Sequence, residues 1–128
     1  MTRSEAESLI GQRVEVWTAA NGTYVGVLEE VKATRPWRGV VLIDGVLKCA
    51  QLFEYGRTRQ RRGKRPGERI EAGGVNIRPT EATGGSYREA LEWEIGWMSK
   101  ITNPLFEKFI AEAQRQLAEE PITTEAQQ

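Results

Sequence analysis

The feature that most constrains the fold is a run of alternating apolar and polar residues, 9–28, that reverses at Asn21-Gly22. Val14 and Val16 share one side of the strand before the reversal, and Tyr24 resumes the alternation after it. Asn-Gly is typical of a tight hairpin, because both residues tolerate positive φ angles. The pattern therefore predicts two antiparallel strands joined by a short turn.

Three later segments predict further short strands: 39–44 (GVVLID), 46–55 (VLKCAQLFEY) and 68–79 (ERIEAGGVNIRP). Thr2 and Glu5 form a capping box, which predicts a short helix before the first strand. Several short strands with frequent turn signals favour a small barrel over a parallel α/β sheet. We therefore expect a mainly β chain built on a small antiparallel barrel.

Beyond residue 80 the period of the apolar residues changes from two to about 3.6, which indicates a helical extension. Ser86 and Glu89 form a second capping box, and Asn103-Pro104 marks either a second helix start or a kink. The sequence leaves open whether the extension is one helix or a helical hairpin. The expected organisation is a β-barrel at 1–80, a linker at 81–85, the helical extension at 86–120 and a flexible tail at 121–128.

The composition excludes several kinds of chemistry. The chain has no histidine, one cysteine (Cys49) and one aspartate (Asp44). Without histidine there is no Ser-His-Asp or Cys-His pair, and a single cysteine excludes an internal disulfide. We therefore expect a protein that is not an enzyme and has neither metal nor cofactor. No apolar run could span a membrane and no secretory signal is present, so we expect a soluble, cytoplasmic protein.

The zero net charge hides an asymmetry between two parts of the chain. Residues 1–80 carry 14 basic and 9 acidic side chains, a net charge of +5. Residues 81–128 carry 4 basic and 9 acidic side chains, a net charge of −5. This difference suggests a basic binding module followed by an acidic helical extension.

Much of the positive charge is concentrated in one basic stretch, which holds seven of the basic residues within 57–69. Such a loop could bind nucleic-acid phosphates without reading their sequence. An acidic protein surface and plain solvation of a hairpin tip are the alternatives. The candidate phosphate-binding residues are Arg57, Arg59, Arg61, Arg62, Lys64 and Arg65, with Arg69 completing the cluster.

The helical extension has more apolar surface than one packing stripe requires. Leu91, Ile95 and Met98 recur at helical spacing, while Trp93 and Trp97 lie four apart beside them. An excess apolar face implies docking on the barrel, on another subunit or on a foreign partner. The predicted partner-helix face comprises Leu91, Trp93, Ile95, Trp97, Met98 and Phe109.

Residues 5–80 resemble the Sm-like (LSm) family in two motifs. The second motif aligns with Ile70–Ile77, and the basic stretch precedes it where the family carries a variable charged loop. The resemblance implies a five-stranded, SH3-like barrel that closes rings through its strand edges. The residues that match the first motif are Leu9, Ile10, Gly11, Val14, Val16, Gly22, Tyr24, Gly26 and Leu28.

The uridine pocket of that family is only partly present. Its Asn in the third strand and its Arg in the second motif are replaced here by Gly39 and Gly73. Gly74 and Asn76 match the pocket and complete the candidate nucleic-acid-binding residues. The resemblance therefore implies ring assembly more strongly than uridine recognition.

Two functional hypotheses follow from the sequence. The first is an oligomeric, ring-forming protein that binds RNA or single-stranded nucleic acid, mainly through the basic stretch. The second is a structural or adaptor subunit, such as one of a phage-type or accessory complex, whose barrel drives self-assembly and whose helices recruit a protein partner. A carboxylate-dependent enzyme is a third hypothesis, which the single aspartate and the missing histidine disfavour.

Overall fold

The fold is described from a computed structural model that places residues 1–18, 22–49 and 63–120, with the backbone of two short strands at 53–54 and 57–58. The side chains of Arg57, Arg59, Arg61 and Arg62, and the predicted tail at 121–128, lie outside the described residues. The helices are α1 (Arg3–Ser8), α2 (Tyr87–Met98) and α3 (Pro104–Glu119). The strands are β1 (Arg13–Thr18), β2 (Gly22–Lys32), β3 (Arg38–Cys49), β4 (Phe53–Glu54), β5 (Arg57–Thr58), β6 (Arg69–Gly73) and β7 (Ile77–Pro79).

The main sheet has five antiparallel strands in the order β6-β3-β2-β1-β7, and β4 pairs with β5 in a separate hairpin. The two antiparallel strands that the sequence predicted are confirmed, because Val16 pairs with Tyr24 and Val14 pairs with Gly26. β2 and β3 shift register at three places, and such irregularities bend a sheet strongly. A 3-10 turn, Gly74–Asn76, separates β6 from β7.

The sheet is open, with β6 and β7 at its two edges. The sequence predicted a five-stranded antiparallel barrel, and the part of the prediction that holds is a five-stranded antiparallel sheet with helices, a mixed α/β fold. The edge strands have only five and three residues. Strands this short offer few backbone groups for a ladder that would close the sheet.

One hydrophobic core joins the sheet to the helices. Val14, Val16, Tyr24 and Val41 are completely buried, and Leu91 from α2 packs into the same cluster. Tyr87, Met98, Phe109 and Ala113 from the helices also belong to it. A bridge between Val46 and Gly85 ties the start of α2 to β3. The helices therefore cover the sheet and complete its core.

The C-terminal extension is a helical hairpin, which answers the question that the sequence left open. Ser86 and Glu89 form the predicted capping box at the start of α2. Asn103 caps α3 by accepting a hydrogen bond from the Leu105 N–H, and Pro104 occupies the first helical position. Thr2 and Glu5 form the predicted capping box of α1.

No helix in the described part of the chain has the length and apolar character that a membrane span requires.

Candidate functional site

Four aromatic rings form a ladder along the helical hairpin. The ring centroids of Trp93 and Trp97 lie 6.4 Å apart, those of Trp97 and Phe106 5.7 Å, and those of Phe106 and Phe109 6.0 Å. Phe109 is buried in the core, whereas Trp93 is 60% exposed at the outer end. The ladder therefore connects a solvent-exposed ring to the interior through tilted and edge-to-face contacts.

Two further apolar side chains are exposed on the same hairpin. Leu105 in the first turn of α3 is 59% exposed, and Ile101 in the connection between the helices is 44% exposed. Exposed large apolar residues that accumulate on one element commonly mark an interaction surface. We refer to Trp93, Trp97 and Phe106, whose rings are in contact, together as the aromatic face.

The aromatic face differs from the predicted partner-helix face. Leu91, Met98 and Phe109 are buried in the core, and Ile95 packs against it. Of the six predicted residues, Trp93 is strongly exposed and Trp97 is half-buried. On α2, the apolar periodicity puts Leu91 and Met98 beside Trp93 and Trp97. Packing of α2 against β3 buries the first pair and leaves Trp93 exposed.

The sequence does not predict the exposure of Ile101 and Leu105. Periodicity gives no signal for the exposure of Leu105, because Leu105 lies four residues before Phe109 and so on the same side of α3 as the buried Phe109, Ala113 and Gln116. Ile101 lies between the helices, where periodicity carries no information.

The described part of the basic stretch is anchored inside the protein. The Arg65 guanidinium pairs with the buried Glu120 carboxylate and lies 4.3 Å from the centre of the Tyr87 ring. The Lys64 N–H donates to the Tyr24 hydroxyl at 2.9 Å. The Gly63 N–H donates to the Tyr87 hydroxyl at 3.2 Å. Arg65 therefore holds the end of α3 in place, although the sequence placed it among phosphate-binding residues.

The two predicted pocket residues, Gly74 and Asn76, are separated by their burial. Gly74 is buried beneath the Trp37 ring. Asn76 lines an open groove of about 550 Å³ together with Trp17, Val75 and Arg78. Val75 is 94% exposed, and the sequence did not single it out. The structure therefore leaves Asn76 accessible and hides Gly74.

One acidic side chain of α2 is buried without full hydrogen bonding. Glu94 is 5% exposed and its Oε2 accepts a hydrogen bond from the Trp97 indole N–H at 3.1 Å. Loss of hydration raises the pKa of the Glu94 carboxyl above its ordinary value. Burial likewise raises the pKa of the Cys49 thiol to about 12, so this thiol stays protonated and unreactive at neutral pH.

Comparisons with known proteins find a similar fold among solved structures. No protein family matches the chain, and no curated protein matches it significantly. The chain is similar to the X-ray crystal structure of kinase-associated protein B from Bacillus cereus, with 22% sequence identity and a TM-score of 0.68. The similarity covers 86% of this chain and 95% of that chain. At this level of identity the likeness shows a shared fold.

The resemblance to the Sm-like family is therefore wrong. The structural likeness to kinase-associated protein B spans 86% of the chain, so it extends beyond the residues 5–80 that the family resemblance covered. The motif residues, such as Gly26 and the alternating Val14 and Val16, lie in the paired strands of a strongly bent antiparallel sheet. RNA binding, which the family resemblance implied, loses that support.

Proposed function

We propose that this protein is a non-catalytic protein-binding module, and that its partner docks on the aromatic face. The observation that supports this proposal is the exposure of Trp93 at the outer end of a ring ladder that reaches the core. A large exposed aromatic side chain held by packed neighbours loses little conformational entropy when a partner covers it. Trp93 therefore has the properties of an interface hot spot.

The charge around this face indicates the chemistry of the partner. Residues 81–128 carry a net charge of −5. Glu92, next to Trp93 in the sequence, is 54% exposed in its side chain, and its Oε1 lies 4.0 Å from Nε of Arg88. A partner that inserts apolar side chains and flanks them with lysine or arginine fits this surface. The similar solved protein is described as kinase-associated, and a protein-binding role for this chain agrees with that description.

Two expectations from the sequence belong to this proposal. The first is self-association, for which the open edges of the sheet supply a physical motive. The second is an SH3-like curvature of the open sheet, which contact between β1 and β6 supports. The acidic hairpin would then recruit the partner while the sheet assembles the subunits.

Replacing Trp93 with alanine tests the proposal. Proteins from the source cells that bind the purified chain are identified, and the strongest binder is purified and titrated against it by calorimetry. We expect Trp93→Ala to weaken the affinity at least about tenfold, because a buried aromatic anchor is lost. Trp17→Ala is the matched control, since Trp17 is 51% exposed on β1 outside the aromatic face.

The proposal fails if Trp93→Ala binds the purified partner as tightly as the wild type. It also fails if Trp17→Ala loses the same affinity, because the hairpin would then have no special role. The ratio of absorbance at 260 and 280 nm and the light-scattering mass are read on the same preparations. Copurifying nucleic acid that is lost when Arg59, Arg61 and Arg62 are replaced with alanine would instead favour nucleic-acid binding through the basic stretch.

A further inference from the structure

Glu94 is a buried carboxyl group at the interface between α2 and β3. Its exposed fraction is 5%, and it interacts with Lys48 and Cys49 of β3. Its Oε2 accepts the Trp97 indole N–H, and its Oε1 is buried with no hydrogen-bond partner in the described part of the protein. A carboxylate normally accepts several hydrogen bonds, so this site is better suited to the neutral acid.

The charged groups around Glu94 leave burial as the dominant influence. The hydrogen bond from the Trp97 N–H and the charge of Lys48 on β3 both favour the carboxylate, but the effect of lost hydration on the Glu94 pKa is larger. The Cys49 thiol on the same strand is neutral at ordinary pH. The buried residues of α3, which packs against α2, are Phe109, Ala113 and Gln116, and none of them is charged. Ionised Glu94 would therefore be a poorly compensated buried charge.

Trp97 makes this carboxyl relevant to the aromatic face. Its indole ring contacts both Trp93 and Phe106, while its N–H donates to Glu94. A movement of Glu94 would therefore change the hydrogen bonding of a ring in the middle of the ladder. The Trp97 side chain therefore connects the buried, titratable Glu94 carboxyl to the aromatic face.

We propose that Glu94 is a proton-operated switch that controls the position of Trp97 in the aromatic face. In the protonated state Glu94 stays buried between α2 and β3 and accepts the Trp97 N–H. When the proton leaves for solvent, hydration of the charge outweighs the single hydrogen bond from the Trp97 N–H, so the carboxylate moves toward water, and Trp97 loses its acceptor and shifts. The effect on partner binding rests on the proposed function, whereas the proton-linked movement of Trp97 does not.

The direction of the linkage follows from the raised pKa. The folded chain holds the Glu94 proton to a higher pH than the unfolded chain does. As the pH rises from the ordinary glutamate value through the folded-state pKa, the folded chain therefore loses stability relative to the unfolded chain. The movement of Glu94 and Trp97 therefore takes place on the alkaline side of that pH range.

The experiment follows the indole N–H resonance of Trp97 by NMR in the ¹⁵N-labelled full chain. The resonance is assigned by its loss in Trp97→Phe, and the spectrum is recorded across a pH titration. We expect it to shift with a midpoint above the reference glutamate value of 4.5. Glu94→Gln should abolish the transition, because the amide does not ionise. Glu92→Gln should leave it unchanged, because Glu92 is exposed on the same helix.

Lys48→Gln is a second variant that does not disturb the buried site. Because the Lys48 cation favours the carboxylate, its removal should move the Trp97 midpoint to higher pH. A midpoint at or below the reference value, a transition that persists in Glu94→Gln, or a midpoint unmoved by Lys48→Gln would overturn the switch. If Trp97 titrates as expected but partner affinity does not change with pH, the switch stands and its link to the proposed function fails.

Discussion

At the scale of single residues, the adjacent Gly73 and Gly74 differ in the space that is available for a side chain. Gly74 opens the 3-10 turn between β6 and β7, and its N–H donates to the Trp37 carbonyl at 3.0 Å. A β-carbon at this position would overlap the Trp37 ring. Gly73 has φ −63°, which any residue can adopt, and a β-carbon there would meet open space. The sequence shows both as a Gly-Gly pair, and only the packing distinguishes them.

Substitution of these two glycines with alanine should have unequal effects on stability. Gly74→Ala should lower the free energy of unfolding by about 1–3 kcal/mol, because Trp37 must move to make room for the methyl group. Gly73→Ala should change it by less than about 0.5 kcal/mol. Urea denaturation followed by circular dichroism measures both values. Equal effects of the two substitutions would show that the Trp37 contact is unimportant.

At the scale of secondary-structure elements, a buried polar network fixes the end of α3 to the loop before β6. Glu120, which follows α3, pairs with Arg65, while the Tyr87 hydroxyl donates to Gln116 Oε1 at 3.1 Å. Arg88 donates to the Leu117 and Glu120 carbonyl oxygens, which satisfies groups that a helix end leaves free. This network holds the hairpin against the sheet through contacts distant in sequence.

Glu120→Gln should therefore destabilise the protein by about 2 kcal/mol or more, because the Arg65 guanidinium would lose the anion that compensates its partial burial. Glu119→Gln is the matched control, since Glu119 is 49% exposed in its side chain and pairs with Arg115 on the surface. That substitution should cost less than about 0.5 kcal/mol. The difference between the two urea midpoints measures the effect, and equal midpoints would contradict it.

At the scale of the whole molecule, the sheet and the helical hairpin share one core. Leu91 is completely buried beside Val14, Val16 and Val41 of the sheet. The Tyr87 hydroxyl accepts a hydrogen bond from the Gly63 N–H, which connects the loop before β6 to α2. Removal of the hairpin would expose the sheet residues that these side chains now cover.

A shortened chain of residues 1–85 should therefore lack a cooperative unfolding transition in urea. The hydrophobic residues contributed by the hairpin include Leu91, Met98 and Phe109, and each large side chain stabilises by about 1.5–3 kcal/mol when buried. Their sum approaches the whole stability of a domain of this size. The full chain is the control. A sigmoidal transition in the shortened chain would show that the sheet folds by itself.

The sequence by itself determined the features that depend on neighbouring residues. The alternation around Val14 and Val16 predicted paired strands, and the capping residues Thr2, Ser86 and Asn103 marked the helix starts within a few positions. Such signals act through local hydrogen bonds and backbone preferences, so they can be read without knowing the rest of the fold.

Only the tertiary structure decided which side of each element is buried. Arg65 and Glu120 meet across 55 positions in the chain, so no local pattern distinguishes Arg65 from its basic neighbours. Leu91 and Trp93 lie two positions apart, and the packing of α2 on β3 buries the first and exposes the second. Burial of Glu94 follows from the same contact. The functional proposals depend on burial, which long-range packing creates.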